Sequence, residues 1–250
     1  MPKKDSYLID KFDQFWKERL TEKEYKILKL KGTDPAFNNK YYKNEEPGIY
    51  VCAACNNILF SSTEKFDSGS GWPSFYNVIY RDAIGSRTDN KLAEQRTEVY
   101  CSRCGGHLGH LFEDGPEPTG LRYCINSSAL KFLKSAYFAL GCFWGPDAKF
   151  SSHQGIYFTK VGYAGGDKDD PTYHNLGEHT ETIQVTYDPE VISFDQLLNL
   201  FWVSHNPAVS PPSTQYKSIA FYQTEDEKQK IDSFITDKKK KIKDFHTEIK

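Results

Sequence analysis

Six cysteines carry most of the reactive chemistry in this 250-residue chain, and their spacing sorts them into two sets. Cys52-Ala-Ala-Cys55 and Cys101-Ser-Arg-Cys104 are two CxxC pairs about 45 residues apart. Two such knuckles supply four thiolates, the donor set that a structural zinc ion takes in a closed tetrahedral site. Four buried structural cysteines, or a redox pair in one CxxC, are the other readings of the same residues. A closed four-thiolate site has no open position for a substrate. It would hold the fold and leave the chemistry to other residues.

Cys124 and Cys142 remain, one in each half of the chain. Cys124 lies in GLRYCINSS (120–128), after GWPSF (71–75) and GGHLGHLFEDG (105–115). His107, His110, Asp114, Arg122 and Asn126 are its sequence neighbours. Histidines and an arginine near a thiol favour the thiolate, which is the nucleophile. The two histidines can equally be structural residues beside the second knuckle. Cys142 lies in GCFWG (141–145), between two glycines and beside Phe143 and Trp144. YFALGCFWG is expected to be a buried strand that turns into the start of a helix, where the helix dipole stabilises negative charge.

The elements that must carry these residues differ between the halves. TEKEYKILKLKG is expected to be a helix, with Thr21 and Glu24 as a capping box and Gly32 as its stop. From Gly48 to about Leu130, strand-like runs such as GIYVCAAC, FYNVIY and TEVYCSRC alternate with Gly, Asn, Asp and Pro clusters. That texture argues for a compact antiparallel β domain. After Ser135 the order becomes strand and helix in alternation: ETIQVTYDP, SFDQLLNLFWVSH, YKSIAFYQT, then a lysine-rich helical tail from about Glu225. Such alternation argues for an α/β or α+β layer domain. The boundary falls between Leu130 and Ala136, giving domains 1–131 and 136–250. DKKKKIKD (237–244) is expected to be the solvated face of an amphipathic helix.

Composition bounds the partners. Hydrophobic residues make up 38% and charged residues 26%, a globular balance. A net charge of −2 gives no basic surface for nucleic acid or an anionic membrane. MPKKDSYLIDKFDQFWKERL has no apolar leader core and no run is long enough to span a membrane. The expected location is the cytoplasm, where thiols stay reduced. Met1 is the only methionine, which fits work near oxidants but also ordinary drift in composition.

SGSGWPSF, the two knuckles, CGGHLGHLF and RYCINS, in that order, resemble methionine sulfoxide reductase B from about residue 15 to 131. The resemblance implies Cys124 as the nucleophile on the sulfoxide sulfur. It implies His107 and His110 as the groups that position and protonate the oxygen. Asn126 and Arg122 support them, Trp72 walls the methyl pocket and Asp114 is an outer acid. GCFWG, GYAGG (162–166), DPTY (170–173), EHTETIQVTYDP (178–189) and TQYKSIAFY (214–222) resemble methionine sulfoxide reductase A. This second resemblance implies Cys142 as nucleophile, Phe143 and Trp144 as an apolar slot, Glu181 as acid, and Tyr173 and Tyr216 as hydrogen-bond donors.

Together the resemblances imply a bifunctional chain. Oxidation makes a thioether sulfur chiral and each epimer needs its own enzyme. The R epimer is expected at Cys124 and the S epimer at Cys142, on free or protein-bound methionine sulfoxide. The implied fold is α+β: a zinc-bound antiparallel β domain, then an α/β sandwich with a mixed sheet of the ferredoxin-like plait. A zinc-stabilised thiol sensor and a thiol peroxidase are the competing readings, and the tryptophans beside both cysteines favour an S-methyl substrate over peroxide.

Three departures from the family patterns shape the expectations. Ser70 stands where many B-type enzymes have a recycling cysteine, and the second half has no cysteine besides Cys142. Each sulfenic acid is therefore expected to be reduced by an external thiol such as thioredoxin, glutaredoxin or a small thiol. Pro211, in SPPS (210–213), stands near a position where A-type enzymes carry an aspartate. The sequence ends at HTEIK, short of the A-type closing stretch, so the second half is expected to be the less stable or less active one.

Overall fold

The computed structural model describes residue 9, residues 11–90 and residues 95–250. Part of the leader reading therefore rests on positions 1–8 and 10, outside the described residues. The chain divides into two compact units, Met1–Leu133 and Lys134–Lys250.

The first unit begins with α1 (Asp13–Arg19) and α2 (Glu22–Leu28). Thr21 and Glu24 close the expected capping box on α2, which buries Ile27 and Leu28. The helix stops earlier than expected. Lys29 caps it, and the left-handed residue is Lys31 (φ 55°) and not Gly32. Sequence reading did not find α1, whose N-cap is Phe12 with no side-chain cap bond to announce it.

Two antiparallel sheets follow. β1 (Ile49–Cys52) and β2 (Ile58–Ser61) form a hairpin. The larger sheet contains β3 (Lys65–Phe66), β4 (Ser74–Phe75), β5 (Ile84–Asp89), β6 (Arg96–Cys101), β7 (His107–Phe112) and β8 (Arg122–Ile125). Its order is β3-β4-β8-β7-β6-β5. FYNVIY is not the expected strand: only Phe75 belongs to β4. The amide of Tyr76 bonds Glu64 and that of Ile79 bonds Leu59, so no ladder continues. Phe60 stacks on Phe75 with ring centres 4.4 Å apart, in a core shared with Tyr50, Leu108 and Ile125.

β9 (Leu130–Leu140) crosses the division between the units. Its residues 130–133 pair with β1. The residues from Lys134 onward pair with β11 and β12 of the second unit.

The second unit continues with α3 (Trp144–Ser151), β10 (Ile156–Ala164), β11 (Thr180–Tyr187), α4 (Phe194–Trp202), β12 (Ser218–Phe221), α5 (Glu225–Lys239) and β13 (Thr247–Ile249). The strand order is β10-β11-β9-β12, with β13 added beside β12. The β-α-β-β-α-β succession in this order is the expected plait. Parallel pairing of β13 with β12 makes the sheet mixed, as expected. Ser193 and Gln196 box the start of α4, whose Leu197, Leu198 and Phe201 enter the core.

The tail departs from expectation. α5 ends at Lys239, so the lysine run straddles a helix end and does not form one continuous face. Cations there suit the negative end of the helix dipole. Thr247–Ile249 then returns to the sheet edge, where the amide of Tyr222 donates to the carbonyl of Lys250 (2.9 Å). Among the described residues, no helix is long and apolar enough to cross a membrane.

Candidate active sites and a four-cysteine cluster

Each CxxC pair closes the end of a strand in the same way. Cys52 ends β1 and Cys101 ends β6. The Cys52 carbonyl accepts from Asn56 N–H, and the Cys101 carbonyl accepts from Gly105 N–H, both at 2.8 Å. Asn56 (φ 59°) and Gly105 (φ 68°) take the left-handed position, which these two residue types tolerate best. The two turns bring together four Sγ atoms, all within 4.8 Å of one another. Cys52–Cys104 is 3.7 Å and Cys55–Cys101 is 3.6 Å. Four sulfurs about 2.3 Å from a central ion would lie about 3.8 Å apart, whereas a disulfide needs about 2.05 Å. The spacing fits a tetrahedral metal site and is not that of formed disulfides.

Cys124 sits on β8 between two strands that place hydroxyl and imidazole beside it. Its cross-strand partners are Ser74 on β4 and His110 on β7. Directly opposed residues share a face, so all three side chains stand on the same side of the sheet. Gly109 permits this approach, since a Cβ there would lie 2.0 Å from the carbonyl oxygen of Cys124. Cys124, His110, Asn126 and Trp72 line a cavity of about 110 Å³. Trp72 is held by its indole N–H, which donates to the Asp34 carbonyl (2.8 Å). Ser70 Oγ lies 3.9 Å from Cys124 Sγ and continues to Ser68 and Ser74 through 2.8 Å hydroxyl contacts. Burial pushes the Cys124 thiol up, opposed by Ser70, Arg122 and Ser74.

The histidines depend on a bulge. Residues three apart on a regular strand point to opposite faces. Between Val99↔Gly109 and Tyr100↔His107 the register slips by one residue, so Leu108 is the extra residue of a β-bulge. His107 thereby lies beside His110, with ring centres 5.5 Å apart. His107 is 3% exposed and its Nδ1 meets Glu98 Oε1 at 2.9 Å. His110 Nε2 meets Asp89 Oδ2 at 2.8 Å. Burial lowers the pKa of His110, partly offset by Asp89, while Arg96 and His107 add to the lowering.

Glu98 is also held by Lys31 (2.7 Å) and by both donors of Arg87 (2.8 and 2.9 Å). Burial would raise its carboxyl pKa. The bonds from Arg87, His107 and Lys31 outweigh that and hold it well below the usual carboxylate range. Asp89 and Glu98 were missed from sequence.

Two expected site residues make their bonds to neighbouring groups of the unit. Asp114 lies past the end of β7, exposed, with its carboxylate clasped by Arg122 Nε and Nη2 at 2.8 Å each. It braces Arg122, whose guanidinium lies 4.2 Å above the Phe112 ring, and does not line the cavity. The Asn126 side chain accepts from Asp34 N–H (2.8 Å) and donates to the Leu108 carbonyl (3.0 Å). It ties the bulge to the 33–34 segment.

In the second unit Cys142 is exposed, just before Phe143 caps α3. It lines a cavity of about 420 Å³ together with His205, Asn206, Pro211, Tyr216 and Ser218. Glu181 is 3% exposed on β11. Its Oε2 accepts from Phe143 N–H (3.2 Å) and its Oε1 from the Gln215 amide (2.7 Å). Neighbouring Tyr173 foremost, then partial burial, raises the Tyr216 pKa to about 12, with Glu181 and Cys142 also contributing. Those four residues are therefore one neighbourhood, and Gln215 is a member that sequence reading did not assign.

The expected apolar slot is not closed. Trp144 is 79% exposed, because α3 is anchored through Pro146 and Phe150 and its first residue stays in solvent. Phe143 instead leans toward Tyr163, with ring centres 6.2 Å apart.

Residues 20–134 match the SelR domain family model, and residues 134–250 match that of peptide methionine sulfoxide reductase. A peptide methionine sulfoxide reductase MsrB of Leptospira interrogans is 54% identical over 129 residues, covering 52% of this chain and 98% of that protein. One from Methanosarcina mazei is 56% identical over 126 residues, covering 50% of this chain and 90% of that protein. Among solved structures, methionine sulfoxide reductase A of Corynebacterium diphtheriae is 25% identical with a TM-score of 0.41, covering 47% of this chain and 64% of its own. Mxr1 of Saccharomyces cerevisiae in reduced form is 27% identical with a TM-score of 0.43, covering 47% of this chain and 74% of its own. The chain belongs to the methionine sulfoxide reductases, as a B-type unit followed in the same polypeptide by an A-type one.

Proposed function

We propose that residues 1–131 reduce the R epimer of methionine sulfoxide at Cys124 and residues 136–250 reduce the S epimer at Cys142. The observation that carries this reading is the placement of Cys124 directly between Ser74 and His110 in a cavity walled by Trp72. A thiol and an imidazole that burial keeps neutral can exchange a proton at the moment of attack. Cys124 sulfur attacks the sulfoxide sulfur while its proton passes through His110 to the departing oxygen. The protonated oxygen then moves from the substrate sulfur to the Cys124 sulfur as the sulfur–sulfur bond of the adduct breaks, so methionine leaves and a sulfenic acid remains on the enzyme. Two external thiols then return the cysteine to its thiol, with one disulfide and one water as products.

At Cys142 the same sequence uses Glu181 as the proton donor to oxygen, with Tyr173 and Tyr216 as hydrogen-bond donors to it. Gln215 and Phe143 N–H hold the carboxyl in place. Ser70 beside Cys124, and the absence of a second cysteine in residues 136–250, favour thioredoxin, glutaredoxin or a small thiol as direct reductant. Cys52, Cys55, Cys101 and Cys104 would hold one zinc ion, which ties two strand ends together and takes no part in the redox step.

Separated R and S epimers of a dabsyl-methionine sulfoxide test the assignment, with dithiothreitol as reductant. Cys124→Ser is expected to lose the R epimer only and Cys142→Ser the S epimer only. Loss of both epimers in either variant, or reduction of neither by the parent chain, would overturn it.

A further inference from the structure

Asp89 and Glu98 each occupy one ring nitrogen of a histidine in the B-type unit, and they take opposite ones. A carboxylate accepts and cannot donate, so the nitrogen it holds must carry the proton. Asp89 therefore fixes His110 as the Nε2–H form and leaves Nδ1 free. Glu98 fixes His107 as the Nδ1–H form and leaves Nε2 free. Neither acid is adventitious. Glu98 is 2% exposed and neutralised by Lys31 and Arg87. Asp89 has a side chain 10% exposed and accepts from Arg96 Nη2 (3.0 Å) on the same oxygen that holds His110. Glu98, the cross-strand partner of His110, reaches His107 diagonally from the adjoining strand, whereas Asp89, opposite Arg96 on β5, reaches His110 from one strand further out.

We infer that Asp89 and Glu98 are positioning residues for the reaction at Cys124, dictating that His110 exchanges protons through Nδ1 and His107 through Nε2. The inference deepens the proposed R-sulfoxide reduction and rests on it. A ring whose tautomer were not set would present the wrong nitrogen to the oxygen for part of the time, and turnover would fall without loss of substrate affinity. The two acids divide the labour. Asp89 acts on the ring that lines the cavity, and Glu98 on the ring buried behind it.

The test uses the full chain labelled with ¹⁵N-histidine, the His110 and His107 signals being assigned with His110→Gln and His107→Gln. Long-range proton–nitrogen spectra at neutral pH are expected to show His110 protonated at Nε2 and His107 at Nδ1. In Asp89→Leu the His110 signature becomes mixed, and kcat for the R epimer falls at least about tenfold, with KM changed by less than about threefold. Asp89→Asn, which keeps an acceptor oxygen for both His110 and Arg96, retains the parent tautomer and most of kcat. A parent His110 protonated at Nδ1, an Asp89→Leu variant with unchanged kcat, or equal losses in the leucine and asparagine variants would each overturn the inference. If the parent chain leaves the R epimer unreduced, the functional reading falls, and the inference falls with it even where the tautomers are as expected.

Discussion

Replacing Glu98 by glutamine should destabilise the B-type unit far more than the loss of one hydrogen bond. Glu98 is 2% exposed and accepts from Lys31, from Arg87 twice and from His107. Arg87 donates to both carboxylate oxygens, so the new amide group must face an Arg87 donor whichever oxygen it replaces. At least one buried N–H is left without an acceptor, and the cations lose their counter-charge. Removing one partner of a buried ion pair costs about 3–5 kcal/mol. The side chains of Lys31 and Arg87 are 37% and 30% exposed, so both recover some water and the lower figure, about 3 kcal/mol, applies. Amide hydrogen exchange of peptides covering residues 96–112 reads this directly. Since about 1.4 kcal/mol is tenfold in an equilibrium constant, exchange through global opening should speed about a hundredfold. The sign with pH follows from the low folded pKa of Glu98. Its stabilisation is complete above the unfolded carboxyl pKa of about 4.3 and is lost as pH falls below it. The gap between parent and variant should therefore be full at pH 6 to 7 and shrink below about pH 4. A gap under about 1 kcal/mol at pH 7, or one that widens in acid, would refute the reasoning.

Two further outcomes follow from the sulfur geometry. Removal of zinc with a strong chelator on mild heating, which leaves Cys124 unmodified, should release one equivalent per chain and abolish R-epimer turnover, because an ion held by the four sulfurs would tie β1 to β6 through their terminal turns; metal-free protein of undiminished R-epimer activity would contradict a structural role. Ser70→Cys should form a bond with Cys124 after one turnover without reductant, since Ser70 Oγ is already 3.9 Å from that sulfur. Intact mass should show loss of two hydrogens, whereas a stable sulfenic acid in that variant would count against the placement.

What could be read along the chain was whatever closes within a few residues. The capping box at Thr21 formed as its spacing implied, and Ser193 with Gln196, not singled out in the sequence, closes a second box of the same spacing. Both knuckles could be seen because CxxC places its two sulfurs by a single turn, so residue type and spacing suffice. Where partners lay far away, sequence reading lost its grip. FYNVIY has strand composition, but its amides are taken by Glu64 and Leu59. The end of the chain looked helical by its lysines, yet residues 247–249 find a free edge at β12. Trp144 was expected to wall a pocket because it adjoins Cys142, but helix packing turns Pro146 and Phe150 inward and leaves it in solvent.

By itself the sequence named the candidate groups: two cysteines outside the knuckles, two histidines, Glu181, and four thiols at metal-site spacing. Tertiary structure alone decided how those atoms are aimed. The bulge at Leu108 sets His107 and His110 side by side although their spacing would separate them on a regular strand. Cross-strand register, and not any motif, sets Ser74 and His110 on either side of Cys124 and brings Asp89 and Glu98 to the histidines. The physical reason is range. A turn or a cap is fixed by the dihedral preferences of neighbours, whereas a strand pairing is chosen by burial of a whole face, and no single residue records it.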